Sequence, residues 1–532
     1  MKKHRNWFSK IIYTFCLLNF GVAAQSFADN IQHALVVGIN IYKHADEQYL
    51  TNLEGAVNDA LLLRDALRRA KVHLPKQRVL LNAQATRAAF VQAWQNMLRQ
   101  AKPGDTLILT FSGHGGQQPD TAPLDETDYK EETLIFHDFN PYRPTQGVIT
   151  DDELYGIFKE ASAYKILFVI DACHSSGMVR SIAKPLRRFR GTGFWNIKPN
   201  IPPSLPILPT QSDNELLSHV TLITAVDNEI LKVPETTINN KQHGALSWYF
   251  AKAITGKADG NQNKRLERDE LANFLEEKVS VKMEQQQKPK LLPRADTVSV
   301  FSLAKISNQA SPEPQPNISD IAIVVQNGNV PQGLKRIRLV KISQTFDLRF
   351  EIKKRQADVF NHTGDKITTL PNNTRNRWQQ IIDKEHLLKA LATQFDMRLK
   401  PIRFTLREGD KIHKRGDILH FSIEPGDKQE GLNALTLFNL GGNGELQFLY
   451  PLTKDYKDPL VERYFPYTMP PLLVASPYGG DNLVAVLCKK PAIGLHSLLI
   501  KAQPNIPKPK QILSQLRGNT CQVGQYAFFS SK

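Results

Sequence analysis

Cysteine is scarce in this chain of 532 residues, with four in all, at positions 16, 173, 488 and 521. That is too few for a disulfide framework. A zinc site built on His114, Cys173 and His174 also fails, because zinc needs three or four protein ligands at suitable spacing. Long apolar runs are missing too. Beyond the first 28 residues nothing reaches the roughly 18 uninterrupted apolar positions of a membrane helix. No fixed-period repeat is visible, which excludes a solenoid or propeller array. No nucleic-acid recognition motif is present and the basic residues are scattered, so nucleic acid is not expected as a partner. The first 28 residues lack acidic side chains altogether. Lys2, Lys3, Arg5 and Lys10 precede an apolar stretch from Ile11 to Ala24 and a small-x-small site at Ser26-Phe27-Ala28. This is the pattern of a secretory signal peptide, too short in its apolar part to cross a bilayer. It predicts a secreted or periplasmic bacterial protein with no transmembrane segment once the signal is removed.

What remains reads as globular protein. Hydrophobic residues make up 41% and charged residues 23%, which is ordinary for packed domains. The length calls for two or three of them. Loss of the four basic residues of the signal takes the net charge from +16 to +12. Such a surface is either merely solvated or drawn to anionic envelope polymers or lipids. Cys16 leaves with the signal. Cys488 and Cys521 either form a disulfide in an oxidising compartment or stay reduced and structural, and Cys173 is the odd thiol.

Buried strands and helices alternate along the first half. Ala34 to Ile39, Gln77 to Asn82, Thr106 to Phe111, Ile166 to Ile170 and His219 to Thr224 read as strands. Asn52 to Ala70, Thr86 to Gln100, Asp152 to Ala161, Gly244 to Ile254 and Glu267 to Val279 read as helices. The alternation predicts an α/β fold, a mostly parallel sheet with helices on both faces. Residues 180–215 break it. Arg180, Lys184, Arg187, Arg188 and Arg190 crowd one side, prolines follow, and an exposed loop is expected. Prolines 312, 314 and 316 mark a linker. The domains expected are 1–28 signal peptide, 29–305 α/β domain, 306–320 linker, 321–400 mixed α/β region with a helix around Arg377 to Ala392, and 401–532 β-rich domain.

Two strand ends carry the chemistry. Thr106 to Phe111 runs into Ser112-Gly113-His114-Gly115-Gly116, and Ile166 to Ile170 into Asp171-Ala172-Cys173-His174-Ser175-Ser176-Gly177. Ligands of open α/β sheets gather beyond the carboxyl ends of parallel strands. A cysteine attacks as its thiolate, and a neighbouring imidazole takes the proton and later returns it. The small residues Ser175 to Gly177 leave backbone N–H groups free to face an oxyanion.

SGHGGQ (112–117) and DACHSSG (171–177) resemble the caspase-like cysteine peptidases, most closely the metacaspase branch. In caspases a His lies about 50 residues upstream of a QAC nucleophile; here DAC replaces it, with an extra Ser after the cysteine. Asn52 to Asp59, Glu132-Thr133-Leu134 and Asp151-Asp152-Glu153-Leu154 match further landmarks in order, so the resemblance covers roughly 31–300. It implies a caspase-haemoglobinase-like fold and a Cys–His endopeptidase acting on protein or peptide substrates. His114 would be general base and acid, Cys173 the nucleophile, and Gly115 with Cys173 the oxyanion region. An acidic S1 pocket maps onto Asp59, Ser112 and Asp171 and would select Arg or Lys, where Asp specificity would need a basic pocket. Asp171 has a plainer reading as a cap of the next turn. No cofactor is required for the chemistry, although some relatives hold calcium. Asp151 and Asp152 match two of those positions, with Asp125 or Glu131 as a third acid, while Arg180 and Ser181 stand where the family has Asp. Asp151 and Asp152 equally suit a helix N-terminus. The basic loop from Arg180 to Arg190 is either a solvated loop or a self-cleavage site. The C-terminal part, from Thr436-Leu437-Phe438-Asn439 through Leu446-Gln447-Phe448, resembles β-rich accessory domains that follow bacterial caspase-like domains. The alternative function is a caspase-fold binding or regulatory protein of the cell envelope with little or no turnover.

Overall fold

The computed structural model describes residues 30–45, 50–120, 129–143, 146–173, 188–194, 217–226, 233–293, 296–304, 320–452 and 460–532. The expected signal peptide, the linker prolines, Asp125, His174 to Gly177 and Arg180 to Arg187 lie outside them.

The first half is built on one sheet. Its strands are β1 (Gln32–Gly38), β2 (Val79–Leu81), β3 (Thr106–Ser112), β7 (Lys165–Asp171) and β9 (Val220–Thr224), in the order β9-β7-β3-β1-β2 and all parallel. An antiparallel strand, Lys290–Leu292, completes the β9 edge. The central strands read as continuous apolar runs because both faces are covered. Leu107, Leu109, Phe111, Phe168 and Ile170 point to one face, and Ile108, Leu167 and Val169 to the other. Helices α2 (Arg87–Gln100) and α3 (Asp151–Glu160) cover the first face with Phe90, Trp94, Met97, Leu154 and Phe158. Helices α1 (Ala56–Arg69), α4 (Ala245–Lys252) and α5 (Arg268–Lys282) cover the second with Leu63, Leu67, Leu246, Phe250, Leu271 and Phe274. Each such side chain contributes about 1.5–3 kcal/mol when fully buried.

Local chemistry sets the helix starts. The Thr86 hydroxyl accepts the Ala89 N–H at 3.1 Å, capping α2. Thr150 and Glu153 form a reciprocal capping box on α3. Gly38 lets α1 press against the end of β1, since a Cβ there would lie 2.5 Å from Ala60 Cβ. That approach carries Asp59, on α1, over the carboxyl end of the sheet.

A second sheet stands beside that end. It consists of β4 (Gly115–Pro119), β5 (Lys130–Ile135), β6 (Val148–Thr150) and β8 (Gly191–Phe194), in the order β6-β5-β4-β8, with β4 and β8 parallel. The α/β architecture is as expected for this half. The exposed loop over 180–215 is not what its described part forms: Arg190 is 0% exposed and β8 pairs with β4. The reason is electrostatic and appears with the site below.

The C-terminal half is β-rich, as expected. A five-stranded sheet spans 321–370 and another joins 412–414, 434–440, 446–450, 480–488 and 521–531. Helix α6 (Arg375–Ala392) serves both cores, Trp378, Ile381 and Ile382 packing on the first sheet and Leu387 and Leu391 on the second. Asn361 and Glu284, 2.7 Å apart, and the Lys278 ammonium on the Ala392 carbonyl tie this half to the end of α5.

Cys488 and Cys521 face each other across antiparallel strands and are joined by a disulfide. The bridge closes a loop of sequence separation 33, for which chain entropy gives about 3–4 kcal/mol of stabilisation. Replacing both cysteines by serine, or adding reductant, should lower the denaturant midpoint of the C-terminal half by a corresponding amount. An unchanged midpoint would show that the bridge contributes nothing there.

Candidate active site

β3 and β7 pair in register from Thr106↔Lys165 to Ser112↔Asp171. Two residues beyond that last pair lie His114 on one strand and Cys173 on the other. The register therefore delivers imidazole and thiol to the same end of the sheet at the same level. Both are 1% exposed, and Cys173 is in no disulfide.

His114 is held on three sides. Its backbone N–H donates to the Tyr42 hydroxyl at 2.7 Å. Its carbonyl accepts the Ile135 N–H. Its Nε2 lies 2.7 Å from the Thr51 carbonyl oxygen. A carbonyl only accepts, so Nε2 carries the proton and the neutral ring presents a lone pair at Nδ1. Among the described residues Nδ1 has no hydrogen-bond partner. Burial pushes the His114 pKa down to about 4; the Thr51 carbonyl opposes this, and the charge of Arg190 adds to it. The ring is thus a neutral base, with its acceptor nitrogen left over for chemistry.

Asp59, Ser112 and Asp171, the residues expected to line an acidic pocket, come together in one buried cluster. Asp59 Oδ2 accepts the Gly244 N–H at 2.9 Å, and Asp59 Oδ1 lies 2.8 Å from His243 Nδ1. Asp171 Oδ2 accepts the Ser247 N–H at 2.8 Å. Ser112 joins through its hydroxyl, 3.1 Å from that of Ser247. Sequence reasoning missed a third carboxylate, Glu235, which accepts the N–H groups of Glu54 and Gly55 at 2.8 and 2.7 Å. Asp59, Asp171 and Glu235 are all essentially buried. Burial raises the pKa of Asp171 and of Glu235, and Arg190 works against that in both.

Arg190 fills the cluster. Its Nη2 is 2.5 Å from Asp59 Oδ2 and 3.2 Å from Glu235 Oε1, and its Nη1 is 3.3 Å from Asp171 Oδ2. Nη1 also donates to the Asp171 carbonyl at 3.1 Å. Burial alone would weaken the guanidinium's hold on its proton, but the three carboxylates outweigh it and the pKa is raised. Gly244 makes room, for a Cβ there would sit 2.5 Å from Arg190 Nη1 and closer still to Asp171 Oδ2. This explains why a loop read as exposed goes inward. Three buried carboxylates without a cation would cost more than ordering the loop.

The backbone of the same segment is held as closely. The Arg190 carbonyl accepts the N–H of Cys173 at 3.0 Å and that of Gly115 at 3.1 Å. The Arg190 N–H donates to the Val233 carbonyl and the Glu235 N–H to the Arg188 carbonyl. Residues 188–190 thus lie as an antiparallel strand on 233–235, with a bridge between Phe189 and Pro234. Gly115 and Cys173 are the two residues expected to line an oxyanion. The expected contribution of Ser175 to Gly177 lies outside the described residues.

Asp151 and Asp152 occupy the first turn of α3, and Asp152 is buried. Calcium takes six to eight oxygens. Among the described residues no group of three or more His, Cys, Asp or Glu side chains is placed to share an ion. Asp151 and Asp152 alone fall short of that number, and Asp125 lies outside the described residues. No helix among the described residues is long and apolar enough to cross a membrane.

Of the missed residues, Tyr42, Thr51 and Glu235 sit outside the regular elements, His243 ends a short strand (Lys241–His243), and Gly244 and Ser247 stand at the start of α4, where apolar periodicity says nothing of a polar role. His243-Gly244 before an apolar helix was the one available hint.

A sequence profile of the "Metacaspase, peptidase C14 domain" matches residues 32–181. Metacaspase-1 of Plasmodium falciparum is 33% identical over 161 residues, 28% of this chain and 25% of that protein. Metacaspase-1 of Eremothecium gossypii is 32% identical over 151 residues, 27% of this chain and 31% of that protein. Metacaspase-2 of Arabidopsis thaliana is 31% identical over 154 residues, 27% of this chain and 34% of that protein. The chain thus spans about a quarter to a third of the length of these relatives. These matches assign residues 32–181 to the caspase-like C14 peptidase family.

Proposed function

We propose that the chain is a cysteine endopeptidase that hydrolyses peptide bonds after arginine or lysine. The observation that carries this reading is a backbone carbonyl, that of Arg190, accepting the N–H groups of Cys173 and Gly115 while its side chain rests on Asp59, Asp171 and Glu235. A substrate in that pose presents its carbonyl carbon to the cysteine and its basic side chain to the carboxylates.

The steps follow from the residues. His114 Nδ1 takes the Cys173 proton, and the thiolate adds to the carbonyl carbon. The oxygen becomes an oxyanion between the Gly115 and Cys173 N–H groups, donors already fixed in place. His114 returns the proton to the leaving amine. Water then cleaves the thioester with His114 again as base. An aspartate at P1 would bring a fourth carboxylate into an acidic, desolvated pocket, so the pocket argues for basic side chains. The N-terminal pattern and the Cys488–Cys521 bridge support a secreted or periplasmic setting. The charge of +12 after loss of the signal supports, by charge alone, contact with anionic envelope polymers.

Peptides with Arg, Lys and Asp at P1 test this directly, with calcium and with chelator. Arg should exceed Lys by about 10-fold in kcat/KM, the worth of one charge-assisted hydrogen bond. Asp should not be cleaved. Cys173→Ala and His114→Ala should each lose about 1,000-fold or more. Asp59→Asn should cost about 100-fold on Arg peptides. A wild type inactive on every peptide, with and without calcium, would instead favour the non-catalytic binding protein.

The acid limb supplies a second check. A base must be deprotonated, and His114 is held at about 4 against an ordinary value of 6.5. Its neutral form is therefore present above about pH 4 and lost below it. The kcat/KM of Arg peptides should hold down to that region, and a half-loss near pH 6.5 would contradict a buried, desolvated base.

A further inference from the structure

We infer that residues 489–520 form a lysine-rich docking face for an anionic, phosphate-bearing lipid surface. The face narrows the contact proposed above from net charge to one segment and one partner, and it owes nothing to the peptidase chemistry.

Basic residues are scattered through the chain, but acidic ones are not. All 52 lie at or before Asp481, and none follows it. Between the two cysteines of the disulfide stand Lys489, Lys490, Lys501, Lys508, Lys510 and Arg517. All six are exposed. A surface that needs only solubility mixes both signs. With no carboxylate in the segment, the six charges add to one field instead of cancelling in pairs. Glu445, at the edge of the sheet beside the segment, faces Arg377 at 3.7 Å.

The fold turns these charges outward as one layer. Helices α7 (Ile493–Ala502) and α8 (Pro509–Ser514) bury Leu495, Leu499 and Ile512 with Phe438, Val484 and Val523 of the sheet. With their apolar sides held on that core, their polar sides are left to solvent. The segment is closed at its base by the Cys488–Cys521 bridge. Just inside it, the Lys489 N–H donates to the Thr520 carbonyl at 3.0 Å, and Lys490 and Asn519 exchange hydrogen bonds at 3.2 and 2.7 Å. Its middle is pinned to the sheet where the Pro504 carbonyl accepts the Leu446 N–H at 2.8 Å. The charges are thus presented on an ordered frame, and binding has little ordering left to do.

The kind of partner follows from what the segment holds and lacks. Five of the six basic residues are lysines. Their compact charge suits a diffuse anionic field, whereas the bidentate fork that reads a single phosphate or base edge belongs to arginine. No Phe, Tyr or Trp stands between Cys488 and Cys521, so the segment offers no platform on which bases could stack. Ile493, in the first turn of α7 and close in sequence to Lys489 and Lys490, is 59% exposed. A bilayer interface accepts such a side chain, and a hydrated polymer does not. Roughly four to eight basic residues clustered on an amphipathic helical surface are the pattern of an anionic lipid site.

The test uses the exported chain, freed of its first 28 residues, in sedimentation with vesicles. Binding is expected to phosphatidylcholine vesicles containing about 30% phosphatidylglycerol and not to phosphatidylcholine alone. It should fall about 10-fold or more as salt rises from about 0.05 to about 0.5 M. Replacing Lys489, Lys490, Lys508 and Lys510 by glutamine should weaken it about 5-fold for each charge. The same change at the exposed Lys76, Lys102, Lys335 and Lys341 should alter it less than about 3-fold. Ile493→Ser should weaken vesicle binding about 5-fold and leave binding to a soluble anionic polysaccharide unchanged. Circular dichroism and hydrolysis of an Arg-P1 peptide should match wild type in every variant. Equal losses from the two lysine sets would overturn the inference, because net charge alone would then suffice. So would equal binding to both kinds of vesicle, or a chain that ignores vesicles while binding the polysaccharide or duplex DNA. Each of these results leaves the peptidase reading standing.

Discussion

A slip of one residue between β3 and β7 would turn every side chain of one strand to the other face of the sheet. Both faces are fully covered here, so the register of Ser112 on Asp171 is fixed by packing over the whole length of the pair. That constraint places four of the candidate site positions together. Ser112 and Asp171 are the last paired residues, and His114 and Cys173 follow two residues later on each strand. The strands supply rigidity, while Gly115 and Cys173, just past their paired ends, donate their N–H groups to the Arg190 carbonyl. The thiol and the base therefore owe their meeting to apolar residues such as Leu109 and Phe168, which take no part in any chemistry.

On this frame sits a cluster whose electrostatics would be untenable half-built. Three carboxylates and one guanidinium are removed from water, and taking away one partner of such a set typically costs about 3–5 kcal/mol. Hydrogen bonds from Gly244, Ser247, Gly55 and Glu54 meet part of the demand of the carboxylates. They do not neutralise it. A buried site that is acidic and short of a cation is a receptor for one, and the fork of an arginine reaches all three carboxylates from a single side chain. The fold needs no other agent to explain why the basic segment turns inward.

What the sequence made legible follows the same division. Buried parallel strands are continuous apolar runs, so β1, β3, β7 and β9 stood out, and Thr86 marked the start of α2 to the residue. His114 and Cys173 stood out because each follows such a run among small residues. Glu235, Gly244 and Ser247 did not, since they arrive from a loop and a helix start after β9, and their approach to Asp59 depends on how the chain returns across the sheet end. The run of arginines before β8 was read by its composition, which says polar and therefore exposed. Composition cannot register that a receptor of opposite charge has been assembled from Asp171, Glu235 and, 131 positions away, Asp59.

The pocket and the base are also coupled. Arg190 is among the charges that lower the His114 pKa. By linkage the effect is reciprocal: a basic side chain in the pocket disfavours protonation of His114, and a protonated His114 disfavours a basic side chain in the pocket. In the proposed mechanism the state that accepts a proton from the thiol is the neutral ring, with Nε2–H fixed on Thr51 and Nδ1 without a partner among the described residues. Seating a cation on Asp59, Asp171 and Glu235 therefore favours the form of the imidazole that the first step requires. An uncharged occupant would leave the carboxylates short of a cation and remove one of the charges that keep the ring neutral. The seat of the Arg190 guanidinium on the carboxylates and the neutrality of the His114 ring are two consequences of the same charge in the same place.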